Sequence, residues 1–276
     1  MRFKKVKEIL LIIFIAIICF SNIFPNTIGN LDELWNYNFA KNICDGLVPY
    51  KDFNMVQMPL LAGICSIFLK TCGNQLIVMR FLAVLLMSMI FFFAYKILEI
   101  VTNENIAKLL LIGLLVLYKD ILCIDYNYAV LFITLILVYI ELRNNEKNFW
   151  KSSFKYNLMV GIIAGLSILC KQTTGIAISM ACIGYKVFAI RNKNNIKILL
   201  KIAFTRLLGV VIPMSIFIIY LIINNAVLDF WDYTILGLKT FSNKISYSNL
   251  FDDSLVLTIL AVSVPVALIV MGLMLF

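Results

Sequence analysis

The sequence predicts an all-α integral membrane protein of about eight transmembrane helices. Three observations predict it. Hydrophobic residues make up 62% of the 276-residue chain, with a mean hydropathy of +0.97, far more apolar surface than one soluble core needs. Apolar runs long enough to cross a bilayer recur along the whole length. Charge also alternates between the connecting segments. With the N-terminus cytoplasmic, sixteen of the 24 basic residues fall in short inner segments and every aspartate falls outside, as the positive-inside rule requires. The net charge of +9 therefore sets topology and is no sign of nucleic-acid binding.

The chain opens with basic residues 1–7 and an apolar run at 9–24. Ser21-Asn22-Ile23 is a poor cleavage site, so the run is expected to stay as a first span. The first outer loop, 25–75, follows. Leu31, Leu34, Trp35, Phe39, Ile43 and Leu47 recur at helical spacing, predicting an amphipathic helix over 31–45 that lies flat at the interface. Asn30 with Glu33 is a capping-box start, and Gly46 a stop. Residues 59–69 are apolar but too few to span. Further spans are expected at 76–98, 106–124, 126–142, 156–170, 175–190, 207–223 and 255–276, with a tight Lys171–Thr174 turn between the fifth and the sixth. Ending inside an apolar run, the single domain 1–276 is expected to be the N-terminal part of a longer chain, with C-terminal spans or a domain missing.

The chain has no histidine, which removes imidazole as a base, nucleophile or metal ligand. Its seven cysteines show no metal spacing, and most read as small buried hydrophobes. Cys65 and Cys72 could pair in an oxidising compartment. Chemistry is left to carboxylates and cations. Asp32 and Glu33 sit in a first helical turn. There they stabilise the helix dipole by about 0.3–1 kcal/mol, or act as a general base or as ligands of a divalent cation. Arg80 and Lys171 stand at the mouths of spans, and Lys51 lies in the outer loop. Each either snorkels or grips an anionic headgroup. Asp125-Tyr126-Asn127-Tyr128 begins the fourth span. Its tyrosines fit an aromatic belt, but no adjacent base neutralises Asp125.

The stretch DELWNYNFAKNICDGLVPYKDF, then MPLL, then Arg80 opening a span, resembles the first outer loop of GT-C glycosyltransferases. The closest likeness is to the dolichyl-phosphate-mannose-protein mannosyltransferase and aminoarabinose-transferase group. Asp32-Glu33, Gly46, Pro49-Tyr50, Asp52-Phe53 and Pro59-Leu60 carry it, and GIIAGLSILCKQTTG resembles the family's later lysine turn at Lys171. Where many members have Lys-Pro-Pro-Leu, this chain has Gln57-Met58-Pro59-Leu60.

The resemblance implies a multi-pass plasma-membrane enzyme with an extracytoplasmic active site. It would move a sugar, with inversion, from a polyprenyl-phosphate donor to a lipid, glycan or protein acceptor. Asp32 would be the base and Glu33 its support, the two sharing any divalent metal ion. Lys51, Arg80 and Lys171 would hold the donor phosphate. Asp52, Asp125, Tyr126 and Asn127 would contact donor or acceptor. A non-catalytic lipid-binding scaffold and a lipid or sugar transporter are the alternatives.

Overall fold

The computed structural model describes residues 2–25, 31–117, 123–145, 153–189 and 196–236. These residues form a helical membrane protein. Its elements are α1 (Arg2–Ile23), α2 (Leu31–Cys44), α3 (Leu60–Cys72), α4 (Leu76–Val101), α5 (Glu104–Leu117), α6 (Tyr126–Asn145), α7 (Phe154–Cys170), α8 (Gln172–Ala189), α9 (Ile196–Ile223) and α10 (Val227–Trp231). A π-helical turn, Asp232–Leu236, follows α10.

Among the described residues, four helices are long and apolar enough to cross a membrane, at Val6–Ile23, Leu76–Val101, Tyr126–Asn144 and Lys197–Ile223. The sequence suggested eight spans. Helix length among the described residues accounts for part of the difference. The described part of the run expected at 106–124 lies in the 14-residue α5, residues 118–122 lie outside the described residues, and α7 has 17. At 1.5 Å per residue these reach roughly 21 and 26 Å, short of a ~30 Å hydrocarbon core. The run at 255–276 lies outside the described residues. The turn expected at Lys171–Thr174 is tighter than four residues, because Lys171 alone, in extended conformation, separates α7 from α8.

α1 runs antiparallel to α4. Phe24 meets Phe81 near the start of α4, and Glu8 meets Lys96 near its end. α4 packs on α6, α6 on α7, and α7 lies against both α8 and α9. Charged side chains therefore collect at two ends of one apolar bundle. Arg80 and Lys96 on α4 are sixteen residues apart, about 24 Å along the axis.

The α7–α9 contact is backbone against backbone. A Cβ on Gly161 would stand 2.2 Å from the Arg206 carbonyl oxygen, and one on Gly209 would stand 2.4 Å from the Leu158 carbonyl oxygen. One turn on, Gly165 makes room for the ring of Pro213, 2.6 Å from where its own Cβ would be. Small residues four apart permit this approach, which hydrophobicity cannot drive between helices in lipid. Gly161→Ala is expected to cost about 1–3 kcal/mol of unfolding free energy by overpacking. Gly113→Ala, with nothing within 4 Å of its Cβ, should cost nothing. Chemical unfolding in detergent measures both.

The loop between α2 and α3 is folded down onto the bundle. Gly46 takes φ +89 just beyond α2, as a helix stop requires. Tyr50, at φ 74 and 1% exposed, places its ring edge-on to Phe217 of α9 and Phe230 of α10, and its hydroxyl donates to the Gln57 carbonyl at 2.9 Å. Burial of so large a ring holds a backbone conformation that a non-glycine residue otherwise avoids. Cys65 and Cys72 are both free thiols, Cys65 buried and Cys72 exposed.

Candidate functional site

α6 starts at a buried aspartate. The Ala129 amide donates to the Asp125 carbonyl at 3.0 Å, and the Asn127 amide to Asp125 Oδ1 at 3.3 Å, so Asp125 is the N-cap of α6. Its second oxygen takes the Asn127 side-chain amide at 2.9 Å. The other end of that amide, Asn127 Oδ1, accepts from Lys171 Nζ at 2.6 Å. Lys171 also stands over the Tyr126 ring, 5.3 Å from its centroid. A carboxylate, an amide and an ammonium are thus held in one line across α6 and the α7–α8 joint.

Asp32 approaches this line from α2. Burial pushes Asp125 above the ordinary carboxylate range. Its hydrogen bonds to Asn127 pull it back, and the nearby Asp32 carboxylate pushes it up again. The Cys123 thiol beside them is pushed up to about 12, first by burial and then by Asp125, Glu33 and Asp32. It is protonated at neutral pH and is no nucleophile. Asp32 is half-buried, Asp125 is buried, and Lys171 is half-buried. Lys171 makes no ion pair among the described residues. Directly after it, the first-turn amides of α8 lack helical acceptors, which favours an anion at that point.

Glu33 turns away from this group. It is 5% exposed and receives Arg80 Nε at 3.0 Å and Nη2 at 3.5 Å, while Arg80 Nη1 donates to the Phe24 carbonyl. The pair ties α2 to α4 and to the end of α1. The Arg80 charge is thereby met inside the protein, and the Glu33 carboxylate is met with it. Lys51 is exposed and donates to the Asn224 carbonyl at the end of α9, 3.0 Å away. Asp52 accepts the Val48 amide at 2.7 Å and closes its own turn. The structure therefore gathers Asp32, Asp125, Tyr126, Asn127 and Lys171, and gives Glu33, Arg80, Lys51 and Asp52 partners elsewhere. No group of three or more His, Cys, Asp or Glu side chains that could hold a metal comes together among the described residues.

A cavity of about 580 Å³ lies beneath the cluster, walled by α3, α4, α6 and α7. Its lining is apolar throughout, including Leu61, Phe68, Leu86, Phe132, Ile133 and Leu166. Ile124 and Cys170 also line it, and these are the chain neighbours of Asp125 and Lys171. Two glutamines that the sequence left without a role sit nearby. Gln172 donates to the Val56 carbonyl at 3.2 Å, and the Gln57 side chain lies against Tyr126. Both join the outer loop to the cluster.

Arg206 is the largest surprise. Sequence reasoning placed it among loop charges, yet it lies inside α9 and is 0% exposed. Nε donates to Asn157 at 3.1 Å, Nη1 to the Cys182 carbonyl at 2.6 Å and Nη2 to Glu141 at 2.5 Å, joining α9 to α7, α8 and α6. The signal was present in the helical period, since Leu199, Ile202, Arg206, Gly209 and Pro213 form one buried stripe. No family model, curated protein or solved structure matches this chain.

Proposed function

We propose that this chain is the membrane portion of a GT-C-type glycosyltransferase acting on a polyprenyl-phosphate sugar at the extracytoplasmic face. One observation carries the reading. A wholly apolar cavity ends at the two residues beside Asp125 and Lys171, so one molecule with a long hydrocarbon tail and an anionic head can occupy both. A prenyl chain is already in lipid before it binds. The cavity therefore supplies selection by shape and packing, without a further hydrophobic driving force.

In this mechanism the acceptor hydroxyl oxygen attacks the anomeric carbon and loses its proton to Asp32. The bond from that carbon to the phosphate oxygen breaks on the opposite face, and the electron pair leaves with the polyprenyl phosphate. Lys171 and the first turn of α8 meet the charge that grows on the leaving phosphate. Asp125 and Asn127 fix where Lys171 stands. Glu33 and Arg80 hold α2, and hence Asp32, against the bundle. A divalent ion, were one bound, would be held by Asp32 and would supply positive charge toward the leaving phosphate.

A transporter is the second reading, favoured by one observation, the Arg206–Glu141 pair within the bundle. Against it, Nε, Nη1 and Nη2 of Arg206 all donate to protein acceptors, so the pair reads as a tie between helices.

The cavity is tested by filling it. Ile133→Trp is expected to weaken binding of a polyprenyl phosphate to the purified protein at least tenfold, read by native mass spectrometry. Equal binding by the variant and the wild type would remove the basis of the proposal.

A further inference from the structure

The first turns of α2 have their faces reversed. The buried positions of the helix are the polar Glu33 and Asn36, with Ala40, whereas Leu31 is 65% exposed, Leu34 39% and Trp35 52%. A helix in water turns its apolar stripe inward and its polar stripe outward, so this stripe is not made to face water. Of the six apolar residues that predict the helix, Phe39 and Ile43 pack on the Tyr50 cluster, and the first three face out. Beyond the other end of α2, the loop exposes Asp45, Lys51, Asp52 and Asn54. The change from apolar to aqueous surroundings therefore falls along α2 itself.

Depth identifies the apolar side as lipid. α4 has 26 residues, about 39 Å, and overhangs a ~30 Å hydrocarbon core by about 4–5 Å at each end. Arg80 stands about 6 Å from the start of α4, and Glu33 of α2 accepts from it at 3.0 Å. The first turn of α2 is thus held at the edge of the core. Phe20 of α1 and Ile77 and Phe81 of α4 are exposed near the same level, on helices long and apolar enough to cross a membrane. The α2 stripe continues that surface. Trp35 suits the depth, because indole rings concentrate at the boundary of a bilayer.

Asp32 lies on the seam. Successive residues turn by about 100° round a helix, which puts Asp32 between the exposed stripe and the buried Glu33–Asn36 face, in agreement with its half-buried side chain. On one side of it is the Asp125–Lys171 line, and on the other is the stripe. We propose, on the basis of the transferase reading, that the acceptor is itself a lipid, whose head carries the attacking hydroxyl and whose chains stay in the leaflet beside α2. Its hydroxyl reaches the level of Asp32 without leaving the interface, and Leu31, Leu34 and Trp35 pack on the chains below the head. The hydroxyl oxygen bonds to the anomeric carbon, its proton goes to Asp32, and the polyprenyl phosphate leaves with the electron pair. A peptide acceptor needs polar partners for its backbone amides, and a free glycan needs them for its hydroxyls. Two leucines and a tryptophan offer little of either.

Two measurements test the assignment. With Trp35 as the sole tryptophan, after Trp150→Phe and Trp231→Phe, vesicles of phosphatidylcholine brominated near the top of the acyl chain should quench its fluorescence strongly, and aqueous iodide only weakly. Strong quenching by iodide and none by the brominated lipid would overturn the proposal without touching the transferase reading. The second measurement follows the sugar. Membranes of cells expressing the chain receive a panel of polyprenyl-phosphate hexoses and pentoses radiolabelled in the sugar, and are then separated into lipid extract, water-soluble material and delipidated protein. Label should enter a lipid other than the donor, about tenfold above membranes that lack the chain. Leu31→Glu with Leu34→Glu should lower that transfer about tenfold, while native mass spectrometry shows polyprenyl phosphate still bound and the variant therefore folded. Label in the water-soluble or protein fraction, or a folded double variant as active as the wild type, would overturn the lipid acceptor and leave the transferase standing. No transfer of label into any fraction would end the transferase reading, and this proposal with it.

Discussion

Asp32→Asn is expected to lower sugar transfer from a polyprenyl-phosphate donor by about 10²–10⁴-fold, the span typical of a positioned general base. Binding of the polyprenyl phosphate should stay unchanged. The substitution keeps the side-chain shape and removes only the ability to take a proton. Asp32 is half-buried on α2, whose place is fixed by the neighbouring Glu33–Arg80 pair, so the helix has no reason to move. The competing base is Asp125, which burial and the Asp32 charge hold above the ordinary carboxylate range. Asparagine also caps helices well, so Asp125→Asn should leave α6 in place and disturb mainly the Asn127–Lys171 line. A larger loss in Asp125→Asn than in Asp32→Asn would move the base assignment to Asp125. Full turnover in both variants would end the assignment of the base to either carboxylate.

The acidic end was legible because charge at the end of an apolar run is costly and therefore conspicuous. Asp32, Asp125 and Lys171 each stand out that way in the sequence. Their partnerships did not stand out. Glu33 meets Arg80 across 47 residues, and only the packing of α2 on α3 and of α3 on α4 decides that Arg80 turns to a carboxylate and not to a ligand. The apolar cavity was also hidden, since any Leu or Ile of α3, α4, α6 and α7 reads equally well as core or as lipid-facing surface. Span number failed for a different reason. Hydropathy measures the length of an apolar run, whereas a span depends on how many consecutive residues stay helical, and α7 holds only 17. Arg206 was misplaced because Lys197 and Lys201 precede it and make residues 196–206 look like a basic loop. In α9 those two lysines are exposed, one turn apart, while Arg206 lies on the buried stripe. Helical period, more than charge density, was the informative signal there.

Arg206→Met is expected to destabilise the protein by about 3–5 kcal/mol, because it leaves the Glu141 charge buried without its counter-charge. Asn157 and the Cys182 carbonyl lose a donor in the same step. Tyr156 lies within reach of Glu141, but a neutral hydroxyl replaces little of a guanidinium. The double variant Arg206→Met with Glu141→Leu should recover more than half of the loss, since removing both charges also removes the cost of burying them. Thermal and chemical unfolding of the purified protein in one detergent gives both numbers. A single variant within about 1 kcal/mol of wild type, or a double variant as unstable as the two singles summed, would mean that the pair is not the tie its geometry describes. The same double variant separates the two functional readings. If Arg206 and Glu141 only join α6, α7, α8 and α9, a folded double variant keeps sugar transfer, whereas a transporter that moves charge through this pair loses transport however well it folds.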